Sequence, residues 1–485
     1  MLNRSWSDAC AVVLVEDLSQ QRLPARWMAA ALRQAGLSAR LVHCGSAADA
    51  GALPARLHAL QPRLVVLSLL FGHLLDVYLG LAARLRSESG AWHLTLAGPL
   101  PALDPARFLT TCPALDSVVC GEPEAVLPRL AARLVDGADW RDVPGLAWRS
   151  PDVRVNPPPW PALDLDNLPE PVRDDGIPQF QGVGFATVEG SRVCYHRCSF
   201  CLPCAHHRDV VGAPYRLRSI PNLVDEMERL YARGVRLFLF DDEQFLPPQP
   251  LRAERVRGFA DELRRRRMHI AFTIKCRADD VDADLLRRLQ DVGLIRVYLG
   301  LESGCPETLE RLHKGVTVTQ NAAALATLDR LGLVADFRCL IFHPWSTLAT
   351  VAREIDFLAT VLPLVPTVVT YCETVCYAGT PMHAELVPAP ANAAVNPTDG
   401  GVVYEIGDAA VEWLRCRARP VIAAQHAPQG SAARVTRAWY DLLLSQRFAP
   451  TPDNDRAALA LRRRVLALNA AMLDVWRALL PGVGG

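Results

Sequence analysis

Between residues 11 and 134 short apolar runs alternate with amphipathic stretches, and this alternation constrains the fold more than any other property of the chain. The runs at 11–15, 39–43, 64–70, 92–97 and 117–120 predict strands, and the stretches at 24–35, 52–60, 74–86, 105–111 and 124–134 predict helices. A strand parallel to its predecessor needs a crossover long enough to hold a helix. Five such units predict an α/β, doubly wound, Rossmann-like parallel sheet that takes ligands at the carboxyl ends of its strands. Gly98 and Gly121 stand at two of those ends, where backbone must come close to a ligand.

The alternation stops in a proline-rich stretch that includes Asn156, Pro157, Pro158, Pro159, Trp160 and Pro161, which reads as a linker over 146–182. It resumes at residue 183 and runs to about 388. Beyond that, Trp413, Leu414 and the stretches 439–444 and 457–480 have helical apolar spacing, so 389–485 is expected to be a small helical domain. A chain of 485 residues exceeds one ordinary core, and three domains are expected, over 1–145, 183–388 and 389–485.

Charge is balanced at 52 basic against 52 acidic residues, which gives no electrostatic footprint for nucleic acid and points to a small-molecule or peptide substrate. Cysteines such as Cys10, Cys44, Cys112 and Cys416 are scattered singly, as buried thiols of a reducing cytosol are. The apolar run at 11–15 is too short for a signal-peptide core. The window 64–81 is broken by His73 and Asp76 and reads as a buried strand and helix, with no membrane span expected.

Just past the apolar run 183–188 come Cys194, Cys198 and Cys201, a CxxxCxxC spacing. With 14 cysteines in the chain, chance would produce such a triad about 0.01 times. Three thiols on one loop can ligate three irons of a four-iron cluster. Clusters usually take four protein ligands, so the fourth iron is left open to a substrate or cofactor. Cys201 and Cys204 also form a CxxC, and a zinc site using Cys198, Cys201, Cys204 and His206 or His207 is the alternative.

With Phe200 as its aromatic residue, this loop resembles the cluster motif of the radical S-adenosylmethionine (SAM) superfamily. The resemblance implies a 4Fe-4S cluster on Cys194, Cys198 and Cys201, SAM chelating the open iron, a partial (β/α)6 barrel and a reducing partner such as flavodoxin or ferredoxin. Cofactors of this kind carry the hard chemistry while the protein positions them. Further elements fit the same family. Asp242 and Glu243, at a strand end, are candidates for the SAM ammonium, with a solvated helix cap as the alternative. Arg277, in an Arg-Ala-Asp element, suits a carboxylate of SAM or substrate, with a salt bridge to Asp279 or Asp280 as the alternative. Glu302 and Ser303 lie in a Gly-Leu-Glu-Ser-Gly strand end followed by Lys314-Gly315; Glu302 is expected to bond the SAM ribose or to act as a capping carboxylate. His343 and Trp345 replace the small turn many relatives carry, which makes them substrate candidates at the barrel mouth, although Trp345 could equally be a packing residue.

The amino-terminal region resembles the cobalamin-binding domain found ahead of many such enzymes, on Ser68, Gly98, Gly121 and Glu122. The loop Glu16-Asp17-Leu18-Ser19-Gln20-Gln21 has no DxHxxG, so no histidine would lie below cobalt; Phe71 or His73 would face it instead. A scaffold that has lost its cofactor is the alternative. Together the two regions resemble cobalamin-dependent radical SAM methyltransferases, which methylate unactivated carbons in natural-product, hopanoid or tetrapyrrole biosynthesis. A radical SAM cyclase or rearranging enzyme, a methylthiolating enzyme and a non-catalytic iron-sulfur protein are the rivals.

Overall fold

The computed structural model describes residues 11–17, 22–70, 72–88, 92–157, 162–207, 214–386, 396 and 400–480. The chain divides into two compact units, one of residues 1–176, 201–216 and 375–403 and one of 177–200, 217–374 and 404–485.

The first unit holds seven strands: β1 (Val12–Glu16), β2 (Ala39–His43), β3 (Leu64–Ser68), β4 (His93–Ala97), β5 (Ser117–Val119), β6 (Leu146–Arg149) and β7 (Val153–Val155). Their order is β2-β1-β3-β4-β5-β6-β7. The first five are parallel, as the alternation predicts, and the order reverses between β1 and β3. At such a reversal neighbouring crossovers go to opposite faces and a crevice opens at the strand carboxyl ends. β1, β3 and β4 are buried throughout. Strands covered on both faces read as continuous apolar runs, which is why 11–15 and 64–70 are so clear in the sequence.

β6 and β7 correct the expected linker over 146–182, since they extend the sheet as an antiparallel hairpin on β5. The apolar alternation there spans only a few residues and sits beside prolines that dominate the reading. Farther along the same segment the chain is stapled to the helix Pro24–Gln34: the buried Arg26 guanidinium donates to Val172 O at 2.9 Å and to both Asp175 oxygens at 2.8 and 2.6 Å.

The second unit holds β8 (Gln179–Phe180), β9 (Val183–Val188), β10 (Ser191–Arg192), the end of β11 (Arg216–Leu217), β12 (Val235–Phe240), β13 (Ala271–Arg277), β14 (Leu294–Gly300), β15 (Val334–Asp336), β16 (Arg338–Phe342) and β17 (Thr370–Glu373). β9, β12, β13, β14 and β15 form a parallel sheet with β8 antiparallel at its edge. At Phe337 the fifth strand leaves that sheet and continues as β16, paired in parallel with β17. A bridge between Glu302 and Cys339 and a bond from Leu340 N to Glu302 O at 2.8 Å join the two sheets. Six parallel segments therefore curve into the open barrel expected from the sequence.

Alternation sets its two faces. Phe238, Phe240, Phe272, Ile274, Val297, Leu299, Ile341 and Tyr371 point outward into the core shared with the helices. Leu237, Ala271, Ile295 and Val334 point inward, where Val435, Trp439, Leu442 and Leu443 of the helix Ser431–Phe448 close the amino end. Burying each Val, Leu, Ile or Phe among them contributes about 1.5–3 kcal/mol.

The expected separate helical domain over 389–485 is corrected here. The helices Ala409–His426, Ser431–Phe448 and Asp453–Leu479 belong to the barrel unit, and the Trp476 ring packs at 5.9 Å from Phe342 and 5.0 Å from Tyr371. An amphipathic pattern shows which face of a helix is buried but not against what. Among the described residues no helix is long and apolar enough to cross a membrane.

Candidate active site

The carboxyl end of the barrel strands gathers the groups that matter. After β9 the chain turns at Gly190 and Ser191, and buried Asp242 holds that turn, accepting from Gly190 N at 2.8 Å and from Ser191 Oγ at 2.6 Å. Burial raises the Asp242 carboxyl, and the two donors offset this only in part. Both of its oxygens are engaged within the protein, which favours a turn-holding role over the ammonium contact expected for it. Glu243 beside it is exposed, with Lys275 Nζ 3.9 Å from its Oε1.

Val193, immediately before Cys194, has φ 71°. A β-branched residue in the left-handed region is strained, and such strain concentrates at functional loops. Downstream, Ser199 N donates to Leu312 O at 2.9 Å and Ser199 Oγ to Arg311 O at 3.0 Å, which fixes the loop to the end of the helix Pro306–Arg311. Tyr195 donates to Asp280, which also takes Arg252 and, at 2.6 Å, Gln244 Nε2. The cysteine loop is thus tied down on both sides of Cys198. Phe200 is half-buried, and Cys201 caps the short helix Leu202–His206.

Arg277 ends β13 and lies with Nη1 3.9 Å from Cys198 Sγ. It is held by Asp279 at 2.9 Å and by Lys314 O at 2.5 Å. The Cys194 and Cys198 thiols both act electrostatically on this guanidinium, and Cys198 also acts on buried Lys314. Cations beside thiols favour the thiolate, the form that ligates iron. The donor set of Cys194 and Cys198 in this unit therefore suits the anionic cluster that the motif implies. The expected Asp279 salt bridge to Arg277 is present as well. Burial and Arg277 lower the His196 imidazole to about 4.

Glu302 follows β14 with φ 68° and accepts from Lys314 Nζ at 3.1 Å. The next residues lie against the helix Leu348–Val361: Ser303 Oγ donates to Glu354, Gly304 N donates to Glu354 at 2.6 Å, and a Cβ at Gly304 would stand 2.0 Å from Phe357 Cγ. Only glycine fits there.

The expected substrate contact at His343 is corrected: the ring is 3% exposed and bonds Thr308 Oγ1 at 3.1 Å, and burial lowers it to about 4. Trp345 is half-buried with Arg311 stacked at 5.4 Å from its ring centroid, a packing arrangement. Arg252, Gln244 and Glu354 escape the sequence reading because no local spacing marks them; Asp280 is visible only as a possible partner of Arg277, and Lys314 only as part of a Lys-Gly pair.

In the first unit the crevice at the strand carboxyl ends is lined by Glu16, Ser68 and Gly98. Ser68 Oγ donates to Glu16 Oε1 at 3.4 Å, and burial pushes the Glu16 carboxyl up to about 8, so it is protonated at neutral pH. Gly98 has φ 134°, and a Cβ on it would meet Leu69 O at 2.1 Å. The backbones after β3 and β4 therefore pack directly against each other at Gly98, where no side chain can stand. Gly121 N donates to Gly145 O at 3.3 Å. Glu122 grips Arg216 at 2.8 and 3.0 Å and accepts from Leu163 N at 2.7 Å, so its carboxylate serves as a clasp and not the expected cofactor contact. Phe71 lies outside the described residues, as does the side chain of His73.

Residues 188–353 match the Radical SAM superfamily. An uncharacterised methyltransferase of Pyrococcus horikoshii is 27% identical over 275 residues, 54% of this chain and 57% of the relative. The chain spans about half the length of the curated relatives it matches. Among solved structures, the cobalamin-dependent SAM radical enzyme OxsB, with aqua-cobalamin and SAM bound, aligns with TM-score 0.73 and 19% identity, covering 96% of this chain and 72% of its own. The radical SAM methyltransferase TsrM of Kitasatospora setae, with tryptophan and a SAM analogue bound, aligns at 0.64 and 19% identity, covering 82% and 80%. These likenesses extend the shared fold over both units. Residues 188–353 thus match the Radical SAM superfamily, and the chain shares the fold of the cobalamin-dependent enzyme OxsB and of the methyltransferase TsrM over both units.

Proposed function

We propose that this enzyme is a cobalamin-dependent radical SAM methyltransferase acting on an unactivated carbon of a small or peptidic biosynthetic substrate. The observation that carries the reading is the pairing, in one chain, of a barrel bearing a three-cysteine loop with a reversed-order sheet whose β3 and β4 ends pack directly against each other at Gly98. When bound, cluster, SAM and cobalamin supply hydrogen abstraction and methyl donation, so that a substrate C–H becomes C–CH3. The protein's part is to hold and to exclude. Cys194, Cys198 and Cys201 bind the cluster; Arg277, Glu302 and Lys314 supply charge around the SAM position; Ser303 and Gly304 shape the turn beside it. The packed helix Ser431–Phe448 closes the barrel's amino end to water.

The P. horikoshii relative is named a methyltransferase, OxsB binds aqua-cobalamin and SAM, and TsrM binds cobalamin with a 4Fe-4S cluster in one structure and a SAM analogue in another, which supports this reading over a barrel without corrinoid. Among the described residues no disulfide is present, and singly scattered cysteines suit a reducing setting in which a flavodoxin or ferredoxin would supply electrons.

After anaerobic reconstitution with iron, sulfide and cobalamin, reduction in the presence of methyl-deuterated SAM should give 5′-deoxyadenosine and a product heavier by a trideuteromethyl group in place of hydrogen. A product of unchanged carbon count, with deoxyadenosine formed, would transfer the assignment to a cyclising or rearranging enzyme. Gly98→Ala should lower corrinoid affinity about tenfold or more while leaving the cluster absorbance in place, because a Cβ would force the two strand ends apart. Unchanged corrinoid binding in that variant would remove the first unit from the cofactor site.

A further inference from the structure

Arg277 stands at the carboxyl end of β13 with 3% of its surface exposed, and its donors are committed within the barrel unit. Nε donates to Asp279 Oδ1 at 2.9 Å, Nη2 donates to Asp279 Oδ2 at 3.3 Å and to Lys314 O at 2.5 Å, and Nη1 lies 3.9 Å from Cys198 Sγ. These contacts use every N–H of the fork but one, on Nη1. Two-oxygen recognition of a carboxylate takes a pair of parallel donors, so the seat expected for a carboxylate of SAM or substrate is already filled by Asp279. The same contacts fix where the charge sits. The segment that supplies Lys314 O also holds the cysteine loop, since Leu312 O accepts from Ser199 N at 2.9 Å and Arg311 O from Ser199 Oγ at 3.0 Å. Asp279 joins from the other side, with Oδ2 3.8 Å from Nε2 of His196, which stands between Cys194 and Cys198. One frame thus holds both the guanidinium and the sulfur.

We propose that Arg277 is a positioning residue that raises the reduction potential of the cluster through the Cys198 sulfur, in place of the carboxylate contact expected of it. The inference rests on the reading that Cys194, Cys198 and Cys201 carry a 4Fe-4S cluster, and it does not depend on methyl transfer. The potential of such a cluster is set by net charge, by hydrogen bonds to its sulfurs and by exposure. A cation whose N–H points at a ligand sulfur stabilises the electron the cluster gains. Burial strengthens this, because water does not screen the charge. Asp279 takes the Nε and Nη2 edge, away from Nη1, so it holds the guanidinium in place while offsetting only part of its charge. A cluster tuned upward in this way is easier to load from a mild one-electron carrier of the flavodoxin or ferredoxin class.

The test reads a potential and needs no turnover. Full-length wild type and variants are reconstituted anaerobically and poised against mediator dyes without SAM or substrate, and the reduced cluster is quantified by electron paramagnetic resonance. Arg277→Gln should make the one-electron reduction about tenfold less favourable, a fall of about 59 mV in midpoint potential. Arg277→Lys keeps the charge and should stay within about threefold of the wild-type equilibrium. Asp279→Asn keeps an acceptor for Nε but removes the offsetting anion, so its potential should rise; this variant carries the test if Arg277→Gln takes up no cluster. Equilibrium dialysis supplies a second readout. The preference for SAM over its decarboxylated analogue should be the same in Arg277→Gln as in wild type, whereas loss of a carboxylate contact would lower it about tenfold or more. An unmoved potential in Arg277→Gln, or in Asp279→Asn where the glutamine variant holds no cluster, overturns the proposal. So does a lost preference for SAM over the analogue, which would return Arg277 to the carboxylate. A wild-type protein that takes up no cluster would overturn the cluster reading along with this inference, while an unmoved potential in cluster-loaded protein overturns this inference alone.

Discussion

Cys198→Ala should give folded protein that fails to hold a four-iron cluster after reconstitution and forms no 5′-deoxyadenosine. Three thiolates are already one fewer than most clusters receive, and a site reduced to two loses the chelate that keeps the cluster in place. In the second unit the buried Cys198 thiol also lies 3.9 Å from Arg277, so its loss removes the anion that this guanidinium and Lys314 face. Cys204→Ala should behave differently. Cys204 lies outside the CxxxCxxC spacing, and its loss should leave cluster absorbance and iron content largely intact. Iron, sulfide and the visible spectrum measured on the two variants side by side decide the matter. Equal loss from both would mean that Cys204 is a ligand, and the open iron on which the radical chemistry depends would be gone. Zinc retained by the wild-type protein and lost in both variants would point instead to the set of Cys198, Cys201, Cys204 and a histidine.

The parallel sheets are legible in the sequence because strands buried on both faces read as near-continuous apolar runs, as β1 and β3 do up to the polar residue that ends each. The hairpin β6–β7 was not, since its burial is partial and its prolines outweigh three or four alternating residues. Amphipathic stripes at 439–444 and 457–480 announced helices, but a stripe does not say what it covers; Trp439 and Trp476 turned out to finish the barrel's own core.

The candidate site divides along the same line. Cysteine spacing and the Glu-Ser-Gly turn are local in sequence, and both could be read directly. The groups that hold them are not local: Tyr195 is fixed by Asp280 and Arg252, 85 and 57 residues away, and Ser303 by Glu354, 51 residues on. Charge at a strand end was also a poor guide to role. Asp242, Glu122 and His343 carry suitable chemistry, yet the two carboxylates spend both oxygens on neighbouring protein groups and the buried imidazole bonds Thr308 through Nε2, which a sequence cannot show.

Glu354 offers a test of that supporting shell through pH. Burial raises its carboxyl to about 7, and the donors from Ser303 and Gly304 only partly counter the effect. The folded protein thus holds this proton more tightly than the unfolded chain, whose glutamate titrates at about 4.5. Between those values the folded state binds more protons, so the stability contributed by Glu354 is fully present below about pH 4.5 and is lost as pH rises to about 7. The difference amounts to about 3 kcal/mol. Glu354→Gln keeps an acceptor for Gly304 N and a donor for Ser303 Oγ but cannot ionise. Chemical denaturation between pH 5 and 8 should therefore show a flatter pH dependence in the variant, with stability at pH 8 equal to or above that of the wild type. Glu354→Ala removes both contacts and leaves the Gly304 amide buried without its acceptor, a loss of about 1–3 kcal/mol for each unsatisfied group. Since Glu302 is continuous with that turn and already held at a strained φ, releasing Ser303 and Gly304 should loosen it, and SAM affinity measured by equilibrium dialysis should fall about tenfold to a hundredfold. Parallel pH slopes for the glutamine variant and the wild type would show that Glu354 is ionised in the folded state; unaltered SAM binding in the alanine variant would show that the turn holds its shape without it.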